Sequence, residues 1–234
     1  MSLELHLTKD QSHTLYVPEL DETYHSRNGA VEEAIYVYIG RGFLDSVNSS
    51  WFIDHSGKAN GISILEIGFG TGLNAWLTVM ECGQLAIRCK YHSLETVPLD
   101  LELIRQLNYT ADSQEAKKQL YLNLHQAEWN KDATITSHFT LRKINTSLQD
   151  FVPPQTYDVI YFDAFAPEKQ PELWTKELFQ KLYDCLNENG VIVTYSSKGD
   201  IKRMWREIGF EVERLPGPPM KRHMLRGRKL RSVE

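Results

Sequence analysis

Cysteine is scarce in this 234-residue chain: there are three, Cys82, Cys89 and Cys185. Their number is odd and none belongs to a CxxC pair, which argues against a disulfide framework and against a zinc site, and no metal is expected. A reducing compartment is the expectation. No run approaches the roughly 18 apolar residues that a membrane span needs. The start, Met1-Ser2-Leu3-Glu4-Leu5-His6, lacks the basic region and apolar core of a secretory leader. A cytoplasmic protein without membrane partners is therefore expected. Internal repeats, low-complexity segments and a Pro/Gly/Ser-rich linker are also missing. With 41% apolar residues, residues 1–234 are read as one domain with one sizeable core, residues 1–60 forming an extension and 61–234 the core. An overall positive charge is absent too, the net value being −5. Charge is unevenly spread, however: residues 198–234 hold eleven Lys/Arg against five Asp/Glu. A polyanion needs a local basic face rather than a basic average, so this tail permits a nucleic-acid partner.

What the chain does have is a strand, a tight turn and a helix in close succession at Ser63-Ile64-Leu65-Glu66-Ile67-Gly68-Phe69-Gly70-Thr71-Gly72-Leu73-Asn74. Glycine lets a ligand lie against bare main chain, and the helix that follows opens with unpaired N–H groups. The spacing is GxGxG, whereas the dinucleotide fingerprint is GxGxxG. That difference favours S-adenosylmethionine over NAD. Glu95 ends the apolar segment Tyr91-His92-Ser93-Leu94-Glu95, about where a doubly wound sheet places a carboxylate for ribose hydroxyls, some 20 residues after the turn. A third strand over residues 140–144 puts Asn145 where a polar side chain can read an adenine edge.

The coarse pattern alternates β and α units. A strand is read at 12–17, a turn-rich stretch at 18–28 and a helix at 31–39 with acids in its first turn. Crossover helices follow at 73–80 and 99–107, and an inserted helical pair at 114–129. The continuous apolar run Tyr157-Asp158-Val159-Ile160-Tyr161-Phe162-Asp163 reads as a strand buried on both faces. A helix at 171–186, a turn at Asn189-Gly190, a strand at 191–195 and a helix at 201–208 come next. Segments 210–215 and 224–230 form an antiparallel pair at the sheet's edge. The expected fold is α/β, Rossmann-like, with a mostly parallel seven-stranded sheet, an antiparallel edge and a small amino-terminal extension. The ligand then lies at the carboxyl ends of the strands.

Asp163-Ala164-Phe165-Ala166-Pro167 follows the fourth core strand directly. It resembles the Asp/Asn-Pro-Pro-Tyr/Phe motif of amino-group methyltransferases, in which a side-chain oxygen and a backbone carbonyl hold the target nitrogen and an aromatic ring stacks on the base. Asp163 and Phe165 occupy those two catalytic positions. Methyl transfer is an in-line displacement, and positioning of that kind supplies about 7–11 kcal/mol of barrier lowering. An alkyl ammonium has no lone pair, so its proton must leave first. Across ~4 Å at an effective dielectric of about 20, a sulfonium opposes the ammonium by about 4 kcal/mol, or roughly three pKa units. Asp163 then accepts or orients the proton.

Ser12-His13-Thr14-Leu15-Tyr16-Val17-Pro18-Glu19-Leu20-Asp21-Glu22-Thr23-Tyr24-His25-Ser26, followed by Asn28-Gly29-Ala30, resembles the signature of the MnmC/MnmD family. The likeness continues through the glycine turn, Asp163-Ala164-Phe165-Ala166-Pro167 and Trp174-Thr175. It ends with Tyr195-Ser196-Ser197-Lys198-Gly199-Asp200 and Gly217-Pro218-Pro219-Met220-Lys221-Arg222-His223-Met224, so it covers nearly the whole chain. The resemblance implies a class I methyltransferase that uses S-adenosyl-L-methionine to methylate 5-aminomethyl-2-thiouridine at the tRNA wobble position. It also implies a separate FAD-dependent oxidase acting upstream, because no second glycine-rich fingerprint follows and the stand-alone form is expected. Glu66, Gly68, Gly70, Gly72, Asn74, Glu95, Asn145 and Asp163 are then the cofactor-binding positions. Tyr24, His25 and Ser26 line the base pocket, while Lys198, Lys221 and Arg222 hold phosphates of the anticodon loop. Asn145 and His223 stand where the family usually carries an acid. Two rival readings use the same sheet: a small-molecule amine methyltransferase or aminopropyltransferase, and a binding accessory without turnover.

Overall fold

The computed structural model describes residues 3–56, 61–111 and 113–231. Parts of the 1–60 extension and the last three residues of the basic tail thus lie outside the described residues. Strands β1 (Glu4–Leu7), β2 (His13–Val17) and β3 (Glu22–Thr23) form a small antiparallel sheet of their own. The main sheet contains β4 (Ile62–Ile67), β5 (Cys89–Glu95), β6 (Asp132–Thr136), β7 (Phe139–Asn145), β8 (Tyr157–Phe162), β9 (Leu186–Thr194), β10 (Glu211–Pro216) and β11 (His223–Arg228), in the spatial order β10-β11-β9-β8-β4-β5-β7-β6. The five central strands run parallel. The edges are antiparallel, through β11 and β10 on one side and β6 on the other.

The sheet therefore has eight strands where the sequence pattern predicts seven. The additional one is β6, whose residues Asp-Ala-Thr-Ile-Thr are all exposed or half-buried, so no apolar run announces it. β9 also begins earlier than expected. Asn189-Gly190, read as a turn, marks an irregularity inside that strand, with Asn189 at φ 61° and its N–H donated to the Lys229 carbonyl. The expected helical pair is one helix, Glu115–Gln126, and the second crossover helix shrinks to Leu101–Ile104.

Both faces of the sheet are covered, as the apolar strands require. On β4 and β8 the side chains alternate: Ile64, Val159 and Tyr161 join one core, and Leu65, Ile160 and Phe162 the other. The first core packs against the helices Leu73–Leu85 and Glu115–Gln126 and against a helical segment that is α over Ala30–Ala34, π over Ile35–Leu44 and α again over Asp45–Val47. Gly42 lets that segment lie on the sheet, since a Cβ there would stand 2.8 Å from the Tyr161 ring. The second core gathers Trp174, Phe179, Trp205 and Phe210 beneath helices Lys176–Asp184 and Gly199–Ile208. Among the described residues no helix is long and apolar enough to cross a membrane.

Phe179 is fully buried, with ring centroids of Phe162 and Trp205 at 4.8 and 5.4 Å. Phe179→Ala is expected to lower the unfolding free energy by about 3–5 kcal/mol, read from the shift of the urea midpoint at unchanged slope.

Candidate active site at the carboxyl ends of the central strands

β4 stops because the next residues cannot continue it. Gly68 takes φ 94°, a left-handed value, and a Cβ there would lie 3.0 Å from the Asp163 carbonyl oxygen. Gly72, at φ 69°, starts the helix Leu73–Leu85, and a Cβ on it would meet His125 Nε2 at 2.7 Å. Either side chain would push apart the elements packed on the turn. Between them the Thr71 carbonyl accepts from Tyr121 Oη at 2.7 Å and from His125 Nε2 at 3.1 Å. Burial pushes His125 down to about 3, so it acts as a neutral donor. The helix Glu115–Gln126 thus clamps the turn from behind, a role with no local sequence signature.

The turn opens onto a cavity of about 350 Å³. Its walls are residues 67–71 with Leu73 and Asn74, residues 94–97, residues 146–149, residues 163–165 and the segment of Lys169, Gln170, Glu172 and Leu173, with Leu20, Tyr24 and His25 contributed from the amino-terminal segment. Glu95 projects from the end of β5. Its Oε2 accepts the Gly70 N–H at 2.9 Å, and its Oε1 accepts those of Thr96 and Val97, both at 2.9 Å. Burial raises its pKa against the opposing pull of these amides.

Asp163 follows β8 and holds both carboxylate oxygens in defined bonds. Tyr38 Oη donates to Oδ1 at 2.7 Å, and Asn74 Nδ2 donates to Oδ2 at 2.8 Å. Burial lifts the Asp163 pKa to about 7, while the two donors pull it down. Next in the chain, the Ala164 carbonyl accepts from Tyr195 Oη and that of Phe165 from Trp174 Nε1, at 2.9 and 2.8 Å. The Phe165 ring meets Tyr24 edge-on at 5.3 Å. Tyr38, which sequence reasoning missed, sits in the π-helical stretch. Its neighbours Tyr36 and Val37 give the same apolar pattern as any core helix, so only the fold shows that it reaches the acid.

The remaining expected residues divide by position. Gly68, Gly70, Asn74, Glu95, Asp163, Phe165, Tyr24 and His25 all line the cavity, whereas Glu66, Gly72, Asn145, Ser26, Lys198, Lys221 and Arg222 do not. Asn145 donates from Nδ2 to the Glu95 carbonyl at 3.0 Å and is exposed. The cavity wall at that point is formed by residues 146–149 instead. Glu66 is wholly buried, and its Oε2 accepts from Ser93 Oγ at 2.6 Å. Ser26 donates its N–H to Glu33 Oε1 at 3.2 Å. Lys221 is paired with Glu33 and lies over the Tyr195 ring at 4.3 Å, and Lys198 is paired with Glu168. Arg222 is exposed in the 217–222 loop. Among the described residues no group of three or more His, Cys, Asp or Glu is arranged to hold a metal ion.

Residues 108–230 match the family described as S-adenosyl-L-methionine-dependent methyltransferase. The chain is 30% identical over 231 residues to the tRNA 5-methylaminomethyl-2-thiouridine biosynthesis bifunctional protein MnmC of Paraburkholderia xenovorans (strain LB400), an alignment covering 92% of this chain and 33% of that protein. The protein of the same name from Pseudomonas fluorescens (strain Pf0-1) is 30% identical over 216 residues, covering 88% of this chain and 32% of its own. The chain therefore spans about a third of the length of these relatives. Among solved structures, MNMC2 from Aquifex aeolicus superposes with a TM-score of 0.76 at 22% identity, over 99% of this chain and 71% of that one. Spermidine synthase from Thermotoga maritima superposes with 0.52 at 16% identity, over 99% and 73%. These two likenesses establish a shared fold.

A carboxyl whose pKa rises on folding binds its proton more tightly in the native state. Its contribution to stability is therefore present at low pH and is lost as pH climbs from about 4 to about 7. Asp163→Asn removes that loss. Chemical denaturation from pH 4 to 8 should find the variant gaining on the parent by about 4 kcal/mol at the upper end relative to the lower.

Proposed function

The chain belongs to the S-adenosyl-L-methionine-dependent methyltransferases, and from that premise we propose that it methylates a primary amine, converting 5-aminomethyl-2-thiouridine to 5-methylaminomethyl-2-thiouridine at the tRNA wobble position. The observation that carries this reading is Asp163, tethered on both oxygens by Tyr38 and Asn74 at the cavity wall beside the glycine turn. The likeness to the MnmC proteins across 92% of the chain supports the choice of substrate.

The residues present fit the cofactor. The turn offers bare backbone where side chains would clash, and Glu95 stands at the strand end where ribose hydroxyls are bound in such sheets. Residues 146–149 take the base-facing wall that the sequence reading gave to Asn145. When bound, S-adenosyl-L-methionine supplies an electrophilic methyl group on a positively charged sulfur.

Asp163 receives the target amine. Each of its oxygens keeps a lone pair beyond the bonds to Tyr38 and Asn74, so the carboxylate accepts an amine N–H and takes the proton that blocks the nitrogen lone pair. Tyr38 and Asn74 hold the acceptor still while this happens. Phe165 and Tyr24, edge to face, give an aromatic wall for a base splayed out of a single-stranded loop. Arg222 meets backbone phosphate from the exposed loop, whereas Lys198 and Lys221 do so on exchanging their present carboxylate partners. An FAD-dependent oxidase activity acts upstream to supply the amine.

Mass spectrometry of wobble nucleosides, after incubation of precursor tRNA with the protein and labelled cofactor, tests the reading. A gain of one methyl is expected. Asp163→Asn should keep cofactor affinity and lose about 10²–10⁴ in turnover. Methylated polyamine with unmodified tRNA, or full turnover by the variant, would overturn it.

A further inference from the structure

Glu66 lies in the interior behind the glycine turn, with no solvent exposure and no place in the cavity wall. Its Oε2 is engaged by Ser93 Oγ at 2.6 Å, but its Oε1 has no partner. The Oδ1 of Asn74 and the hydroxyl of Tyr91 are equally buried and equally without one, and both side chains lie against the Glu66 carboxyl. Asn74 is meanwhile oriented by its other end, because Nδ2 donates to Asp163 Oδ2 at 2.8 Å. Two unpaired acceptors of adjoining side chains, both away from water, cost free energy that a single proton between them relieves.

We propose that Glu66 is a positioning residue: it stays protonated in the folded protein, donates from Oε1 to Asn74 Oδ1, and thereby keeps the Asn74 amide turned with its Nδ2 toward Asp163. The inference rests on Asp163 being the amine's acceptor. No proton leaves Glu66 in the reaction. With Glu66 ionised, the Asn74 amide is drawn round to offer Nδ2 to that charge, and its Oδ1 then opposes the Asp163 carboxylate.

The surroundings agree. The groups facing Glu66 are Ser93 and Tyr91 from β5, Tyr161 from β8, Asn74 from the helix after the turn, and Asp163 beyond it. None of these is a cation, and the last is an acid. Burial, with Asp163 adding to it, pushes the Glu66 carboxyl up to about 8 against the opposing pull of the hydrogen-bonding side chains around it.

The test compares Glu66→Gln and Glu66→Met with the parent. Glutamine keeps a donor for Asn74 Oδ1 and cannot ionise. Its kcat on precursor tRNA at pH 7 should stand nearer the parent's than that of Glu66→Met does, and the alkaline decline of kcat expected of the parent as Glu66 ionises should be absent from it. Methionine removes the donor: kcat should fall about tenfold or more, with the KM for cofactor within about twofold and the acidic limb of the pH profile displaced. An infrared difference between the parent and Glu66→Gln at pH 7, taken without substrate, should show a protonated-carboxyl C=O stretch lost in the variant. Absence of that band overturns the proposal even if Glu66→Met fails to fold. An unchanged alkaline limb in Glu66→Gln also overturns it, as does a raised cofactor KM at constant kcat in either variant, the mark of a direct cofactor ligand. If no form methylates tRNA, the functional reading fails, and the infrared band still decides the state of Glu66.

Discussion

The close passage of two backbones at the carboxyl ends of β4 and β8 governs the geometry of this site. Asp163 donates its N–H to the Ile67 carbonyl at 3.2 Å, and only the missing side chain of Gly68 lets the turn pass over the Asp163 carbonyl. From that crossing the chain is tied to β5 as well, since Gly68 and Phe69 both donate to the Leu94 carbonyl, at 3.1 and 3.0 Å. Two consequences follow. Asn74, one residue into the next helix, comes within reach of Asp163, and Gly70 comes within reach of Glu95. A Cβ at position 68 would stand 3.0 Å from the Asp163 carbonyl oxygen on a left-handed backbone, and so would strain the crossing that sets both pairs.

That crossing concentrates acids where water is scarce. Glu66, Glu95 and Asp163 all stand at the ends of adjacent parallel strands, and burial raises the pKa of each. Their environments differ in what opposes burial. Glu95 has three backbone amides, Asp163 a phenol and an amide, and Glu66 a firm bond from one hydroxyl. The more donors a carboxylate collects, the better it sustains its charge. The three acids thus differ in how many donors oppose the burial that raises their pKa values.

Much of this was legible in the sequence. The order of β and α units, the glycine turn and the acids Glu95 and Asp163 appear as local patterns, because each depends on residues adjacent in the chain. β6 escaped because a polar edge strand carries no apolar signal. Asn145 lies at the right strand end, yet its side chain turns to the Glu95 carbonyl, a choice set by the paired register of β5 and β7. The contacts of Tyr38, Tyr121 and His125 join residues separated by 50 positions or more in the chain. No spacing rule encodes such meetings. The basic tail was read as a source of phosphate ligands, but Lys198 and Lys221 are paired with Glu168 and Glu33, partners that tertiary structure alone brings near.

The raised pKa of Asp163 bears directly on the proposed chemistry. Moving a proton from an alkyl ammonium, with a reference pKa of about 10.4, to an ordinary aspartate near 3.9 is uphill by roughly 9 kcal/mol. With Asp163 at about 7 the same transfer is uphill by roughly 5 kcal/mol, before the repulsion between ammonium and sulfonium is counted. The gain has a counterweight, because near neutral pH about half of such carboxyls already hold a proton and cannot accept another. Further burial would strengthen the base and empty its active form together. Tyr38 and Asn74 therefore do more than orient the group: by donating to the carboxylate they stop burial from carrying its pKa past the working range. The site's basicity is thus a balance between a dry wall and two hydrogen bonds.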